Sequence, residues 1–240
     1  MALEMNYRYE DTAPYSMPTE PALSWAEALR SRRFALLALC TFAGLIAALV
    51  ALNHFLQFNE RRPGVTLVDP VLAALPAADL SVPLFVLIYG TLVITLGSLA
   101  YKPRALLVAL QAYAVLASFR MLMMYTIPLE APPGMILLID PIVRAFGDGP
   151  NWAKDLFFSG HTSTTFLCAL SVRSRSLRLV CFAGCATVAA LILVQHAHYT
   201  IDVLVAPFVA FASQRIANHF TSRALDGRAQ GESDVLTSTT

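Results

Sequence analysis

Two stretches of this 240-residue chain carry the residue types of group transfer: Ser159-Gly160-His161-Thr162 and His196-Ala197-His198-Tyr199-Thr200-Ile201-Asp202. In the second, the carboxylate follows His198 by four residues, so on one helical turn the two share a face. Asp202 can then hold one ring N–H and leave the other nitrogen unprotonated and more basic, which makes His198 a nucleophile or a general base. In the first, Gly160 removes a side chain just before His161, so backbone N–H groups and the Ser159 hydroxyl can approach an anionic group closely. If a phosphate sits there, the planar guanidinium of Arg120 suits its oxygens. An arginine, a small-residue turn and two histidines are equipment for phosphoryl transfer.

The elements that position these residues are apolar. The chain is 57% hydrophobic and 14% charged, with a mean hydropathy of +0.60. A soluble domain carries about 45–50% apolar and about 25% charged residues, so there is too little polar surface here to cover a water-facing globule. This is a membrane protein by composition. Its 17 basic and 16 acidic residues leave a formal charge of +1, which gives no pull toward nucleic acid, and no nucleic-acid partner is expected. Cys40, Cys168, Cys181 and Cys185 all lie inside apolar runs and read as small buried hydrophobes rather than a disulfide framework or a metal site. The polar N-terminus has no early apolar core, so a cleaved signal peptide is not expected.

A helix needs about 20 apolar residues to cross a bilayer core. Three runs satisfy this directly: Phe34 to Leu52, Pro83 to Tyr101 and Ala105 to Tyr125. Three more are shorter or carry polar residues near one end: Leu156 to Val172, Leu179 to Tyr199, and Ile201 to Ile216. The expected fold is all-α, a polytopic bundle of six transmembrane helices. Twelve of the 17 Lys and Arg residues fall on one side of these spans: Arg8, Arg30, Arg32, Arg33, Lys102, Arg104, Arg173, Arg175, Arg178, Arg215, Arg223 and Arg228. Arg61, Arg62, Arg144 and Lys154 lie opposite, so both termini are expected in the cytoplasm. The division is a cytoplasmic segment 1–33, a transmembrane catalytic domain 34–216 and a flexible cytoplasmic tail 217–240, with the tail after Phe220 polar and mobile. The outer side holds two long connections, roughly 53–82 and 126–155, and long loops of this kind are often functional. Within the second, Gly134 to Asp140 is apolar but too short to cross, so it lies at the interface or packs on the bundle.

Counted against this topology, Arg120, His161, His196, His198 and Asp202 reach one depth near the outer face. Arg120, for instance, lies five residues inside its span, about 8 Å at roughly 1.5 Å per residue. Ionisable residues in a span are expensive and point to function; the structural alternatives are a snorkelling Arg120 and helix–helix hydrogen bonds from the histidines. Asp155, at the membrane edge, reads equally as a partner for a cationic head group or a histidine and as a helix N-cap. Glu130 and Asp148 read as solvated loop charges, and His196 as a packing residue turned away from His198. His54 and His219 sit at membrane boundaries without partners, and Trp25 reads as an interfacial anchor.

These segments resemble the sphingomyelin synthase-like family within the PAP2 lipid phosphatase/phosphotransferase superfamily. Asp155-Leu-Phe-Phe-Ser-Gly-His161-Thr is similar to that family's Gly-Asp-Tyr-Leu-Phe-Ser-Gly-His-Thr, with Lys154 in place of the glycine. His196-Ala-His198-Tyr-Thr-Ile-Asp202-Val is similar to its His-Asp-His-Tyr-Thr-Val-Asp-Val. Weaker likenesses are Arg120 with Met124, Tyr125 and Pro132, where Glu130 replaces a proline, and Leu75-Pro76 with Asp79. The lipid phosphatase branch fits less well, because Lys-x6-Arg-Pro is missing and Ile192 stands where an arginine is usual.

The resemblance implies a transferase. His198 would attack the phosphorus of a phospholipid head group with Asp202 orienting it. His161 would protonate the departing oxygen and then deprotonate an acceptor hydroxyl. The substrate-binding residues would be Arg120, assigned here on charge grounds, Ser159, Gly160 and Asp155. The implied partners are membrane lipids, a glycerophospholipid donor and ceramide or another lipid alcohol as acceptor, with the site at the extracytoplasmic leaflet. No cofactor or metal is called for, because fixed donors can carry the transition-state charge. A lipid phosphate phosphatase using the same His161, His198 and Asp202 is the alternative, and a non-catalytic transporter or scaffold the third reading. The head group and the oligomeric state, including a homo-oligomer, stay open.

Overall fold

The structure, a computed structural model, describes residues 24–140 and 152–226. Arg8, Arg144, Asp148, Arg228, the N-terminal segment before residue 24 and the tail beyond residue 226 lie outside the described residues. Eight helices and no strand occur among the described residues: α1 (Trp25–Arg30), α2 (Arg32–Glu60), α3 (Pro70–Ala74), α4 (Ser81–Leu99), α5 (Pro103–Thr126), α6 (Gly160–Ser171), α7 (Arg175–Val194) and α8 (Thr200–Asp226). Local chemistry sets their starts. Ser31 caps α2 through the Phe34 N–H, Pro103 opens α5, and Ser159 caps α6 through the Thr162 N–H.

Five of these, α2, α4, α5, α7 and α8, are long and apolar enough to cross a membrane. Leu39, Ile46, Val86, Val93, Phe208 and Phe220 point outward from them, as side chains facing acyl chains do. The short α6 is central, packed against α4, α5, α7 and α8. Alanines at the contacts, Ala112 of α5 with Ala206 and Ala210 of α8, let these helices approach closely around Leu116, Phe158 and Leu167. Leu84 and Phe85 of α4 meet Val188 and Ile192 of α7 in a second cluster. The hydroxyls of Ser163 and Thr165 donate back to the carbonyls of Gly160 and His161, at 3.0 and 2.9 Å, which keeps α6 self-satisfied in an apolar setting.

Several expectations need correction. The fourth run does not become a helix from Leu156: α6 begins at Gly160 and has 12 residues, about 18 Å against a bilayer core of about 30 Å. Residues 156–159 are non-helical, and Leu156, Phe158 and Ser159 are fully buried. The Ser159 N–H donates to the Asp202 carbonyl at 3.1 Å, so protein supplies what the bilayer cannot. The fifth run stops at Val194, because His196 adopts a left-handed φ of 54°. The sixth continues past Ile216 and Phe220 to Asp226, where Arg104 pairs with Asp226 at 2.6 Å; the next glycine in the sequence is Gly227. Cys40 is exposed, unlike the other three cysteines. The Trp25 indole N–H donates to the Ala100 carbonyl at 2.6 Å, tying α1 to the end of α4.

Opposite that end, the connections form a hydrogen-bonded cap. Asp69 caps α3 through the Val71 and Leu72 N–H groups and also accepts from the Thr200 N–H at 2.7 Å, joining α3 to the start of α8. The Tyr199 hydroxyl accepts from the Leu67 N–H at 3.2 Å and donates to the Glu130 carbonyl at 3.1 Å. The Gly134 to Asp140 stretch packs on the bundle: Ile136 N–H donates to the Gln195 carbonyl at 3.1 Å, and Leu138 joins the Leu84 and Phe85 cluster.

Candidate active site

The cap and the buried start of α6 bring the two histidine segments together. His161 is the second residue of α6, and His198 lies two residues before α8. Their ring centroids are 6.2 Å apart. Both line one cavity of about 180 Å³, with Phe85, Met135, Leu138, Asp140, Trp152, Asp155 and Ala197. Phe85 meets the His161 ring edge-on at 5.8 Å between centroids, so one face of the chamber is apolar and holds that imidazole in place.

His198 Nδ1 lies 3.4 Å from Asp202 Oδ2, and the same oxygen accepts the Tyr199 N–H at 3.2 Å. The pairing is not made along one helical face, because His198 precedes the helix. Asp202, in the first turn of α8, reaches back over residues 198 and 199 as a capping carboxylate does. With Nδ1 engaged, Nε2 is the ring nitrogen left to His198 for chemistry. Asp202 is fully buried, and its Oδ1, like His161 Nδ1 and Arg120 Nε, is a buried polar atom without a hydrogen-bond partner. Of these three residues His161 lines the cavity, and a buried polar atom without a partner there is suited to a polar ligand.

Arg120, on α5, forms an ion pair through Nη2 with Asp155 Oδ1. Its guanidinium lies against Gly160, where a Cβ would collide with it. Glycine is required at this position for that close approach. Arg120 therefore does not snorkel toward the surface. Burial alone would raise the Asp155 carboxyl, but Arg120, His198 and His161 outweigh it and hold it below the usual carboxylate range. Asp155 is not the N-cap of α6. That role belongs to Ser159, whose hydroxyl accepts the Thr162 N–H at 3.3 Å and donates to Thr162 Oγ1 at 3.1 Å while fully buried.

Other residues settle elsewhere. His196 turns away from the chamber, its Nδ1 3.2 Å from the Pro133 carbonyl and its Nε2 3.1 Å from that of Leu75. Glu130 is not a lone solvated charge: it pairs with Lys154 at 2.8 Å and accepts the Gly64 N–H at 2.8 Å, and both contacts lower its pKa. Lys154 also donates to the Arg62 carbonyl, while its own carbonyl and N–H are held by Asn59 and Glu60. These bonds fix the segment carrying Asp155 to the end of α2. His54 and His219 are exposed on α2 and α8. Sequence reasoning missed Phe85, Trp152 and Asp140, the last accepting the Tyr89 hydroxyl at 2.5 Å. Only the aromatic side chains near span ends gave a signal for them.

Fold and site together describe an integral membrane protein with two histidines, an aspartate and an arginine–aspartate pair gathered at one end of its helices. Residues 154–219, from Lys154 through α6 and α7 into α8, match the family model described as PAP2 superfamily C-terminal. The match contains Asp155, His161, His198 and Asp202 and implies lipid phosphatase or phosphotransferase chemistry on phosphate esters. No curated protein matches the chain.

Proposed function

We propose that the protein is a phospholipid head-group phosphotransferase of the sphingomyelin-synthase type, moving a phospho-alcohol group from a glycerophospholipid to a lipid hydroxyl such as that of ceramide. The observation that carries this reading is the pair of imidazoles, 6.2 Å apart on one cavity, with a carboxylate on one of them. Near-attack geometry places reacting atoms about 3–3.5 Å apart, so one phosphorus centre fits between the two rings.

In the first step Nε2 of His198 attacks phosphorus. The P–N bond forms, the P–O bond to the diacylglycerol breaks, and protonated His161 gives its proton to the departing oxygen. In the second step neutral His161 takes the proton of the acceptor hydroxyl, the new O–P bond forms and the P–N bond breaks, which regenerates the histidine. Asp202 stabilises the cationic ring of His198 during the intermediate. Arg120, seated over Gly160, offers its guanidinium to the phosphate oxygens. Ser159 acts through the fold, by starting α6 where His161 enters the chamber. The arginine-rich end of the bundle, holding Arg32, Arg104, Arg175 and Arg223, supports a cytoplasmic placement for that end and an extracytoplasmic one for the site.

The test is turnover by the purified full-length protein in detergent with head-group-labelled phospholipid, with and without ceramide. A labelled phosphosphingolipid that appears only with ceramide, and vanishes in His198→Ala, is the expected result. Release of inorganic phosphate to water instead makes it a phosphatase, release of the intact phospho-alcohol makes water the acceptor of the same transfer, and no turnover rejects the phosphotransferase reading.

A further inference from the structure

His196 stands two residues before His198 and takes no part in the transfer, yet both of its ring nitrogens are engaged. Nδ1 lies 3.2 Å from the Pro133 carbonyl oxygen and Nε2 3.1 Å from that of Leu75. Carbonyl oxygens only accept, and a neutral imidazole has one N–H to give. In either tautomer the bare nitrogen would turn its lone pair on a carbonyl lone pair at hydrogen-bond distance. The residue is 8% exposed, which leaves water little room to relieve that clash. Only the imidazolium, a donor at both nitrogens, satisfies both carbonyls. The backbone points the same way: a φ of 54° in a residue other than glycine persists where its surroundings hold it.

The two carbonyls belong to different parts of the cap. Leu75 ends α3, which Asp69 ties to Thr200 at the start of α8. Pro133 leads into Gly134, where a φ of 76° turns the chain, and on to Met135, Leu138 and Asp140 in the wall of the chamber. The charged groups on the segments that meet His196 are engaged by other residues: Asp79 by Ser81, Glu130 by Lys154, Asp140 by Tyr89, and Asp202 by Tyr199 and His198. The carbonyl dipoles of Leu75 and Pro133 face the ring directly.

We propose that His196 is an imidazolium, with a proton on each ring nitrogen, and acts as a positioning residue. Its charge clasps the Gly134 to Asp140 wall to the Leu75 end of the cap and so sets the shape of the chamber beside His198. The protonation state stands whatever group the protein transfers, whereas the effect on turnover rests on the phosphotransferase reading.

Two measurements on the full-length protein in detergent test it. The first is nitrogen NMR at neutral pH of protein carrying ring-labelled histidine. Signals are assigned by their loss in His54→Gln, His161→Ala, His198→Ala and His219→Gln, which identifies His196 without altering it. Two nitrogens of similar shift, each coupled to its own proton, are expected. One protonated and one bare nitrogen, well separated in shift, would overturn the proposal.

The second uses His196→Gln, which keeps an amide donor but not two donors on opposite sides of a ring. The Ile136 N–H, which donates to the Gln195 carbonyl in the clasped wall, is expected to exchange with solvent about tenfold faster or more once a charge-assisted bond is lost. KM for the donor lipid is expected to rise about fivefold or more with kcat within about threefold, because the wall loosens while the transferring histidines remain. An unchanged Ile136, or a loss confined to kcat, would overturn the clasp. Absence of turnover with every donor would reject the phosphotransferase reading, while the ring signals and the exchange rate still decide the state of His196.

Discussion

Placing a methyl group on Gly160 probes the seat of Arg120. A Cβ there would coincide with the Arg120 guanidinium, and Nη2 of the same arginine would lie 2.8 Å away. No backbone atom is among the nearest, so the helix can stay while the arginine tip swings out, which breaks its pairing with Asp155. Alanine improves on glycine in a helix by up to about 1 kcal/mol, crowding costs about 1–3 kcal/mol, and parting a largely buried ion pair costs up to about 3–5 kcal/mol more, so the melting temperature falls as well. Catalysis loses a charged donor aimed at the phosphate, about 2.7–4 kcal/mol or roughly 10²–10³ in kcat. The assay is donor turnover together with thermal unfolding for three alanine variants. Gly160→Ala should be folded and nearly inactive. Gly90→Ala, whose Cβ meets nothing within 4 Å, should match wild type in both. Gly64→Ala, whose Cβ would lie 2.5 Å from the Leu129 carbonyl carbon, must move backbone and should lower the melting temperature. A Gly160→Ala protein retaining more than about a third of wild-type kcat, against the loss expected for a displaced donor, would refute the placement of Arg120.

Asp202→Asn keeps the shape of the contact to His198 but removes the charge that stabilises its cation; kcat should fall by on the order of 10²–10⁴, with melting much less affected, and unchanged kcat would remove Asp202 from the mechanism. Tyr199→Phe leaves the Leu67 N–H and the Glu130 carbonyl without their shared partner, costing about 1–3 kcal/mol, which thermal unfolding would register at about 2–4 °C per kcal/mol. Asp69 gives a pH signature: burial alone would raise its pKa, but bonds from Thr200, Leu72 and Val71 outweigh it and lower it. A carboxyl depressed in the folded state contributes stability above its unfolded pKa and loses that contribution as pH falls through the folded value. Wild type should therefore lose melting temperature more steeply than Asp69→Asn between about pH 5 and pH 3, and parallel curves would contradict the double cap.

Much of the architecture was legible because lipid imposes a simple rule on composition. Phe34 to Leu52, Pro83 to Tyr101 and Ala105 to Tyr125 fall within α2, α4 and α5, or overrun their ends by a residue or two, since an apolar run of that length has few other stable forms. The short fourth run was harder. Leu156, Phe157 and Phe158 look like membrane helix, yet their apolarity serves burial inside protein rather than contact with lipid. Helix ends at the cap were illegible for a related reason: His196 takes a left-handed turn only because the carbonyls of Leu75 and Pro133, far away in sequence, receive its ring. Within the site, the i, i+4 spacing pointed to the His198–Asp202 pairing, although the geometry is that of a helix start. Arg120 with Asp155, and Glu130 with Lys154, join residues 35 and 24 positions apart; no local pattern encodes such pairs, and only the packing of α5, α6 and the cap reveals them.

The most direct test of the central claim, that His161 and His198 share one phosphorus centre, is rapid quenching of the enzyme mixed with head-group-labelled donor and no acceptor. The expected result is an acid-labile, base-stable label on His198, absent in His198→Ala and discharged when an acceptor lipid is added. Turnover without any label on His198, or full activity in His198→Ala, would contradict it.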